Sequence, residues 1–147
     1  MHLEKYDIRA DEFLMEFQFV SIGTKGEIIK IVRYSKTNFK NIYNLALVDK
    51  DPVTNQFSDA IISDNGDTQK VLVTVAMTTV KFFEERPNSQ VFFKGLTASR
   101  TRLWQMNIAK YLNEIIQVID IKGLGTRGWE TFQKGVNYEA FIVNKKA

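Results

Sequence analysis

Positions 94–102 read KGLTASRTR and follow the apolar run VFF. A strand, a glycine and then a helix start bearing Lys94, Thr97, Ser99, Arg100, Thr101 and Arg102 make an anion cradle. Free backbone N–H groups, hydroxyls and guanidinium forks all favour phosphate or carboxylate. Arginines are otherwise out of place there, because the positive end of the helix dipole favours Asp or Glu. The spacing departs from the P-loop, G-x-x-x-x-G-K-[ST]. The same residues also fit an internal role, in which Arg100 and Arg102 pair with carboxylates of this chain.

Two further groupings carry chemistry. Lys30, Arg33, Lys36 and Lys40 with Tyr34 and Phe39 form a basic, aromatic-bearing strand and loop that could stack single-stranded bases; alternatively, the aromatics anchor that loop onto a core. Asp49, Asp51, Asp59, Asp64 and Asp67 could offer oxygen ligands to Mg²⁺ or Ca²⁺, but their spacing fails the EF-hand template and fits a solvated, capped loop. No metal site and no cofactor is therefore expected.

Other chemistries are closed by composition. There is no cysteine, and the one histidine is His2, so Ser-His-Asp and Cys-His catalysis and structural zinc are excluded. Any enzyme here would work with carboxylates, Lys, Tyr, Ser or Arg. Net charge is +3, too small to prove a polyanionic partner, although residues 25–50 are basic and residues 51–70 acidic. No stretch approaches the roughly 20 apolar residues of a membrane span, and the opening residues lack the layout of a signal peptide. A cytoplasmic location is expected.

The elements that must position these groups follow from periodicity. EFLMEFQFVS (12–21) alternates, with Phe13, Met15, Phe17 and Phe19 on one face. IGTKG turns the chain into EIIKIVRYS (27–35), and IYNLALV (42–48) is a third strand. Residues 68–87 hold many β-branched side chains, but Leu72, Val75, Ala76, Thr79 and Phe83 keep helical spacing and Pro87 ends the segment. SQVFF (89–93) is a short strand. A second helix runs from about Thr97 to Ile116 or beyond, with Trp104, Ile108, Leu112, Ile115 and Ile119 in its stripe. IDIKGLGTRG then turns, WETFQKG is ambiguous, and 137–146 is a last strand.

The fold class is α+β: one domain over 1–147, a mainly antiparallel mixed sheet and two principal helices, in the order β-β-β-α-β-α-β-β. This chain order is that of the ribonuclease H-like fold. That fold's metal chemistry needs acids at fixed positions, whereas the first strand here centres on Phe and Met and the fourth ends in FFKG.

The segments FVSIGTKGEIIKIVRY, DNGDTQKVLVTVAMTTVKFF, FKGLTASRTRLWQMNI and WETFQKGVNYEAFIVNKK together resemble a small family of short bacterial proteins known only as a domain of unknown function. The resemblance runs from about Glu12 to Lys146 and is most distinctive from Gly95 to Leu103. It implies a compact domain and no particular activity.

The leading expectation is a non-enzymatic binding module for nucleic acid or another anion, centred on Arg100 and Arg102. The alternatives are a homo-oligomeric or protein-binding component with structural arginines, and a metal-assisted phosphoryl-transfer enzyme or nuclease using the Asp-rich loop.

Overall fold

A computed structural model describes residues 4–59 and 65–147. The strands are β1 (Arg9–Ala10), β2 (Glu16–Gly23), β3 (Gly26–Lys36), β4 (Ile42–Lys50), β5 (Phe57–Asp59), β6 (Gln90–Phe93), β7 (Ile119–Gly125), β8 (Gly128–Thr131) and β9 (Phe141–Lys145). The helices are α1 (Thr68–Glu85), α2 (Ala98–Lys110) and the short α3 (Leu112–Ile115). The strands form one sheet in the order β1-β2-β3-β4-β6-β9-β7-β8, with β5 beside β4. Among the described residues, only β4 and β6 pair in parallel, and α1 lies in the crossover between them. The expected α+β class, with a mainly antiparallel sheet and two long helices, is the class observed.

Strict alternation decides which strand residues face the helices. Phe17, Phe19, Val32, Tyr34, Leu45, Leu47, Val91, Phe93, Phe141 and Val143 turn to one side. There they join Leu72, Val75, Phe82, Trp104, Ile108 and Ile115 of the helices in a single buried cluster.

α1 holds its helix despite its β-branched residues because its apolar stripe is buried against the sheet, and its buried hydroxyls are satisfied by bonding back to helix carbonyls. Thr74 donates to the Lys70 carbonyl at 2.7 Å, and Thr78 to that of Val75 at 2.7 Å. The helix ends at Arg86, ahead of Pro87, as the steric restriction before proline requires. Asp67 holds the N-cap position, but its side chain makes no capping bond. It accepts instead from Tyr6 Oη and Ser21 Oγ, each at 2.5 Å.

Three expectations are corrected. Phe13 lies outside the first strand and is 67% exposed. Leu14 takes a left-handed conformation (φ 54°), and Asp11 Oδ1 receives the amides of Met15 and Glu16, so the chain turns before β2 begins. The second helix breaks at Tyr111 (φ −113°, ψ 23°), and Ile119 belongs to a strand, as a run rich in Ile and Val favours. The glycine-rich stretch after it is strand as well. Gly123 sits in β7 because a Cβ there would lie 2.4 Å from the Tyr138 ring. β7 then makes its hairpin with β8 through Gly128 (φ 104°), and the ambiguous WETFQKG segment is strand over Trp129–Thr131 and loop from Phe132 to Gly135.

Candidate functional site

β4 has two different neighbours along one edge. Ile42–Asn44 pair with β6, and Val48–Lys50 pair with β5. Among the described residues, no strand pairs with Leu45, Ala46 and Leu47 on that side. Continued in register, they would lie opposite Phe93, Lys94 and Gly95, but the chain turns away there into α2. A cleft of about 660 Å³ opens in the gap. A crevice beyond the carboxyl end of a parallel strand is where open α/β sheets take ligands, and this volume suits a small ligand or a few residues of chain.

Gly95 makes the sharp turn fit. A Cβ on it would meet the Thr101 nitrogen at 2.5 Å and the Arg100 carbonyl carbon at 2.6 Å, so only glycine lets β6 run this close to α2. The Gly95 amide donates to Thr101 Oγ1 at 3.0 Å. Thr97 is the N-cap in extended conformation, and its hydroxyl accepts from the Arg100 amide at 3.2 Å. The Thr101 amide donates to the Thr97 carbonyl. The amides of Ala98 and Ser99, at the first two helical positions, have no intrahelical acceptor. The first turn contains no acid.

Leu45, Leu47 and Trp104 give the cleft an apolar base, and Lys94, Thr97 and Arg102 line its helix side. Asn137, Tyr138 and Glu139 supply a far wall, and Gln105 of α2 joins the lining. Gln105 holds that far wall in place: its side-chain oxygen accepts from the Tyr138 amide at 2.9 Å and its amide group donates to the Val136 carbonyl. Tyr138 Oη accepts from the Gln133 amide at 3.0 Å and donates to Glu130 Oε2 at 3.2 Å. Burial pushes the Tyr138 phenol above its ordinary pKa, the Gln133 amide opposes this, and the Glu130 carboxylate adds to it. Tyr138 is thus neutral at ordinary pH and faces the cleft as a fixed wall.

The structure gathers Lys94, Thr97, Thr101 and Arg102 around this cleft. Ser99 is exposed on the same first turn. Arg100 is absent from the lining, and its amide serves the cap. Thr97 and Thr101 are engaged within the turn, so the groups of this cleft best placed for an anion are Lys94, Arg102 and the Ala98 amide.

The second grouping separates by strand alternation. Lys30 and Tyr34 point into the protein, which removes them from any solvent-facing strip. The Lys30 side chain is 0% exposed and its Nζ lies 2.6 Å from Asp49 Oδ1. Tyr34 Oη contacts Thr78 Oγ1 and Thr79 Oγ1 at 2.8 and 2.9 Å, and its ring stacks on Phe82 at 4.3 Å. Arg33 faces the other side, bonds Glu16 at 2.7 Å and lies over the Phe57 ring. Only Lys36, Phe39 and Lys40 stand exposed, at the β3–β4 turn.

The acids also scatter. Asp49 serves Lys30, Asp67 serves Tyr6 and Ser21, and Asp51 accepts the amides of Val53 and Thr54. The Thr54 and Val53 amides hold the Asp51 carboxyl below its usual range. Asp64 and His2 lie outside the described residues, as does the side chain of Asp59. Among the described residues, no group of three His, Asp or Glu side chains is set to hold a metal ion.

The far wall, residues 137–139, was not legible in the sequence. These residues come to the cleft through long-range pairing of β9 between β6 and β7, and only the glycines at 95 and 123 signalled close approaches.

A mixed sheet with a cleft where its parallel strands part, beside the start of α2, defines a small α+β protein. A model of a family of unknown function, DUF6934, matches residues 2–146, and the chain belongs to that family. Neither a curated protein nor a solved structure matches it. Among the described residues, no helix is long and apolar enough to cross a membrane.

Proposed function

We propose that this protein is a binding module whose cleft, between the β4 edge and the start of α2, receives an anionic group of a partner molecule. The observation that carries the reading is the meeting in one cleft of Lys94, Arg102 and the N-terminal turn of α2 with no acid in that turn. The helix dipole, the first-turn amides and two cations act on the same space. Nucleic acid and smaller anions both supply such a group.

The test is an amide-resolved NMR titration with potassium phosphate and, separately, sodium acetate. Ala98 and Ser99 should shift saturably, and Lys94→Ala with Arg102→Ala should weaken the response at least tenfold. Both side chains are exposed, so the double variant should keep its unfolding free energy within about 0.5 kcal/mol. Shifts that are absent, or that survive in the double variant, would remove the reading.

A second reading, a self-assembling component, is supported by the face of the sheet away from the helices. Ile22, Phe57 and Trp129 are exposed on that face, one each on β2, β5 and β8, and such groups favour association where a second copy covers them as one patch. Sedimentation equilibrium decides it: a monomer at tens of micromolar would end this reading.

A further inference from the structure

We infer that the free edge of β8 pairs antiparallel with β8 of a second copy of this chain, joining two sheets across a two-fold axis. The inference makes no use of the anion cleft. It rests on the self-assembly reading and gives that reading a defined interface.

The first argument is the contrast between the two ends of the sheet. At the β1 end, the edge strand is two residues long and Asp11 turns the chain directly after it. Further along β2, the Ile22 amide donates to Tyr6 Oη at 3.0 Å. Short edges, charge and side-chain cover are devices that stop a further strand from adding. β8 is four residues long and contains no Lys, Arg or Pro. Its one charged side chain, Glu130, accepts from Tyr138 Oη at 3.2 Å. Its one bulky side chain, Trp129, leans back over the sheet, with its ring 6.2 Å from that of Phe92. The β8 backbone is thus left open to a neighbour.

The second argument is the direction of the main chain. Gly128 and Glu130 pair with Gly125 and Gly123 of β7, and the Phe132 amide donates to the Ile121 carbonyl at 3.1 Å. Alternation then turns the N–H and C=O groups of Trp129 and Thr131 to the other side. Among the described residues, no strand lies there. Residues 1–3 and 60–64 are tethered too far away to supply one. Tyr6 stacks on Phe19 of β2, six strands from β8. That is roughly 29 Å at strand spacing, and the residues before Tyr6 span at most about 18 Å. β5 stands in line with β6, three strands from β8. That is roughly 14 Å, and a segment that must return to Asn65 reaches out by about 10 Å.

The third argument is that β8 complements itself. A two-fold interface sets the same patch of both copies together. With Trp129 on the axis, the two Trp129 backbones exchange N–H···O bonds, and Thr131 lies opposite the partner's Arg127. Glu130 then lies opposite the partner's Gly128, which has no side chain, and next to the partner's Arg127, an exposed cation of the hairpin turn. Opposite charges so placed are favourable, whereas Glu130 on the axis would set two carboxylates against each other. Charge therefore selects both the occupant and its register.

The experiment is sedimentation equilibrium of the full chain and of Thr131→Pro. Proline here removes an N–H that faces away from β7, a position an edge strand tolerates. The wild type should be a dimer at tens of micromolar. Thr131→Pro should raise its dissociation constant tenfold or more with the far-ultraviolet circular dichroism unchanged. The chain has no cysteine, so the register can be read directly. A mixture of Arg127→Cys and Thr131→Cys chains should form disulfide-linked dimers at least tenfold faster than either variant alone, because those α-carbons lie about 5.5 Å apart across the axis. The cross-link decides the matter should Thr131→Pro fail to fold. A folded Thr131→Pro chain that dimerises as the wild type does, or a mixture that cross-links no faster than its parts, overturns the inference. Ile22→Lys with Phe57→Lys separates it from the reading it rests on. If that pair dissolves a dimer that Thr131→Pro leaves intact, the outer sheet face stands as the interface and the β8 pairing falls. A wild-type monomer ends both.

Discussion

Gly95 donates its amide hydrogen to the Thr101 hydroxyl across 3.0 Å, and this bond ties the end of β6 to the first turns of α2. Both residues are buried. The turn that shapes the cleft therefore depends on a missing side chain at one position and a hydroxyl at the other.

Two substitutions at this turn should act through different causes. Thr101→Val keeps shape and leaves the Gly95 amide without an acceptor, at a cost of about 1–3 kcal/mol. Gly95→Ala places a methyl 2.5 Å from the Thr101 backbone nitrogen, so the strand end and the helix must separate. Urea denaturation should show a lower midpoint for both. If Gly95→Ala left the midpoint and the Ala98 and Ser99 amide resonances unchanged, the tight turn described here would be wrong.

Lys30 and Asp49 give an asymmetric prediction. The lysine side chain is 0% exposed, and its carboxylate partner is 23% exposed. Asp49→Asn strands a buried ammonium and should cost about 3 kcal/mol, at the lower end for a broken buried pair because Asp49 meets solvent. Lys30→Met removes the charge that cannot hydrate and leaves a carboxylate that partly can, so it should cost less. The double variant should recover part of the Asp49→Asn loss. Equal losses for the two single variants would place Lys30 in water rather than in the protein.

The stripe shared by α2 and α3 offers the simplest check on packing. Trp104, Ile108 and Ile115 are buried, and Leu112 packs partly buried against the same cluster. Ile108→Ala should destabilise by about 2–5 kcal/mol and Leu112→Ala by less. An unchanged midpoint for Ile108→Ala would refute the buried face.

What the sequence made legible was governed by local periodicity. Alternation in β2, β3 and β4 and the i, i+3, i+4 spacing of α1 and α2 define inward faces without knowledge of neighbours. The same alternation, applied to β3, places Lys30 and Tyr34 on the inner face beside Val32; composition alone had put them in a basic, aromatic strip. The start of the site was legible too, because a Gly followed by Thr and two Arg is a local pattern. Its far wall was not. Tyr138 reaches the cleft because β9 inserts between β6 and β7, and Gly123 reads as a turn until the Tyr138 ring is seen lying against it. Pairings between distant segments leave no period in the chain.

Tyr34 supplies a prediction in pH. Its phenol is fully enclosed, and burial pushes its pKa far above the ordinary 10.0, with the Thr78 and Thr79 hydroxyls only partly opposing this. Three hydroxyl hydrogens, on Tyr34, Thr78 and Thr79, serve four contacts, because both threonines also reach the Val75 carbonyl. The phenol is therefore well placed only while it carries its proton. A phenol whose folded pKa is raised holds its proton more tightly in the native state than in the unfolded chain. Its contribution to stability is complete below about pH 10, the unfolded value, and declines as pH rises beyond it. The urea midpoint should accordingly hold up to about pH 10 and fall progressively as pH rises above it. Tyr6 and Tyr138 are raised by burial in the same direction, so they leave a residual slope in any single variant. Tyr34→Phe should lower the unfolding free energy near neutral pH by about 1 kcal/mol through the lost hydrogen bonds, and should also flatten the alkaline decline. Parallel wild-type and Tyr34→Phe curves across that range would show that Tyr34 ionises as freely in the folded protein as in the unfolded chain, which its enclosure forbids.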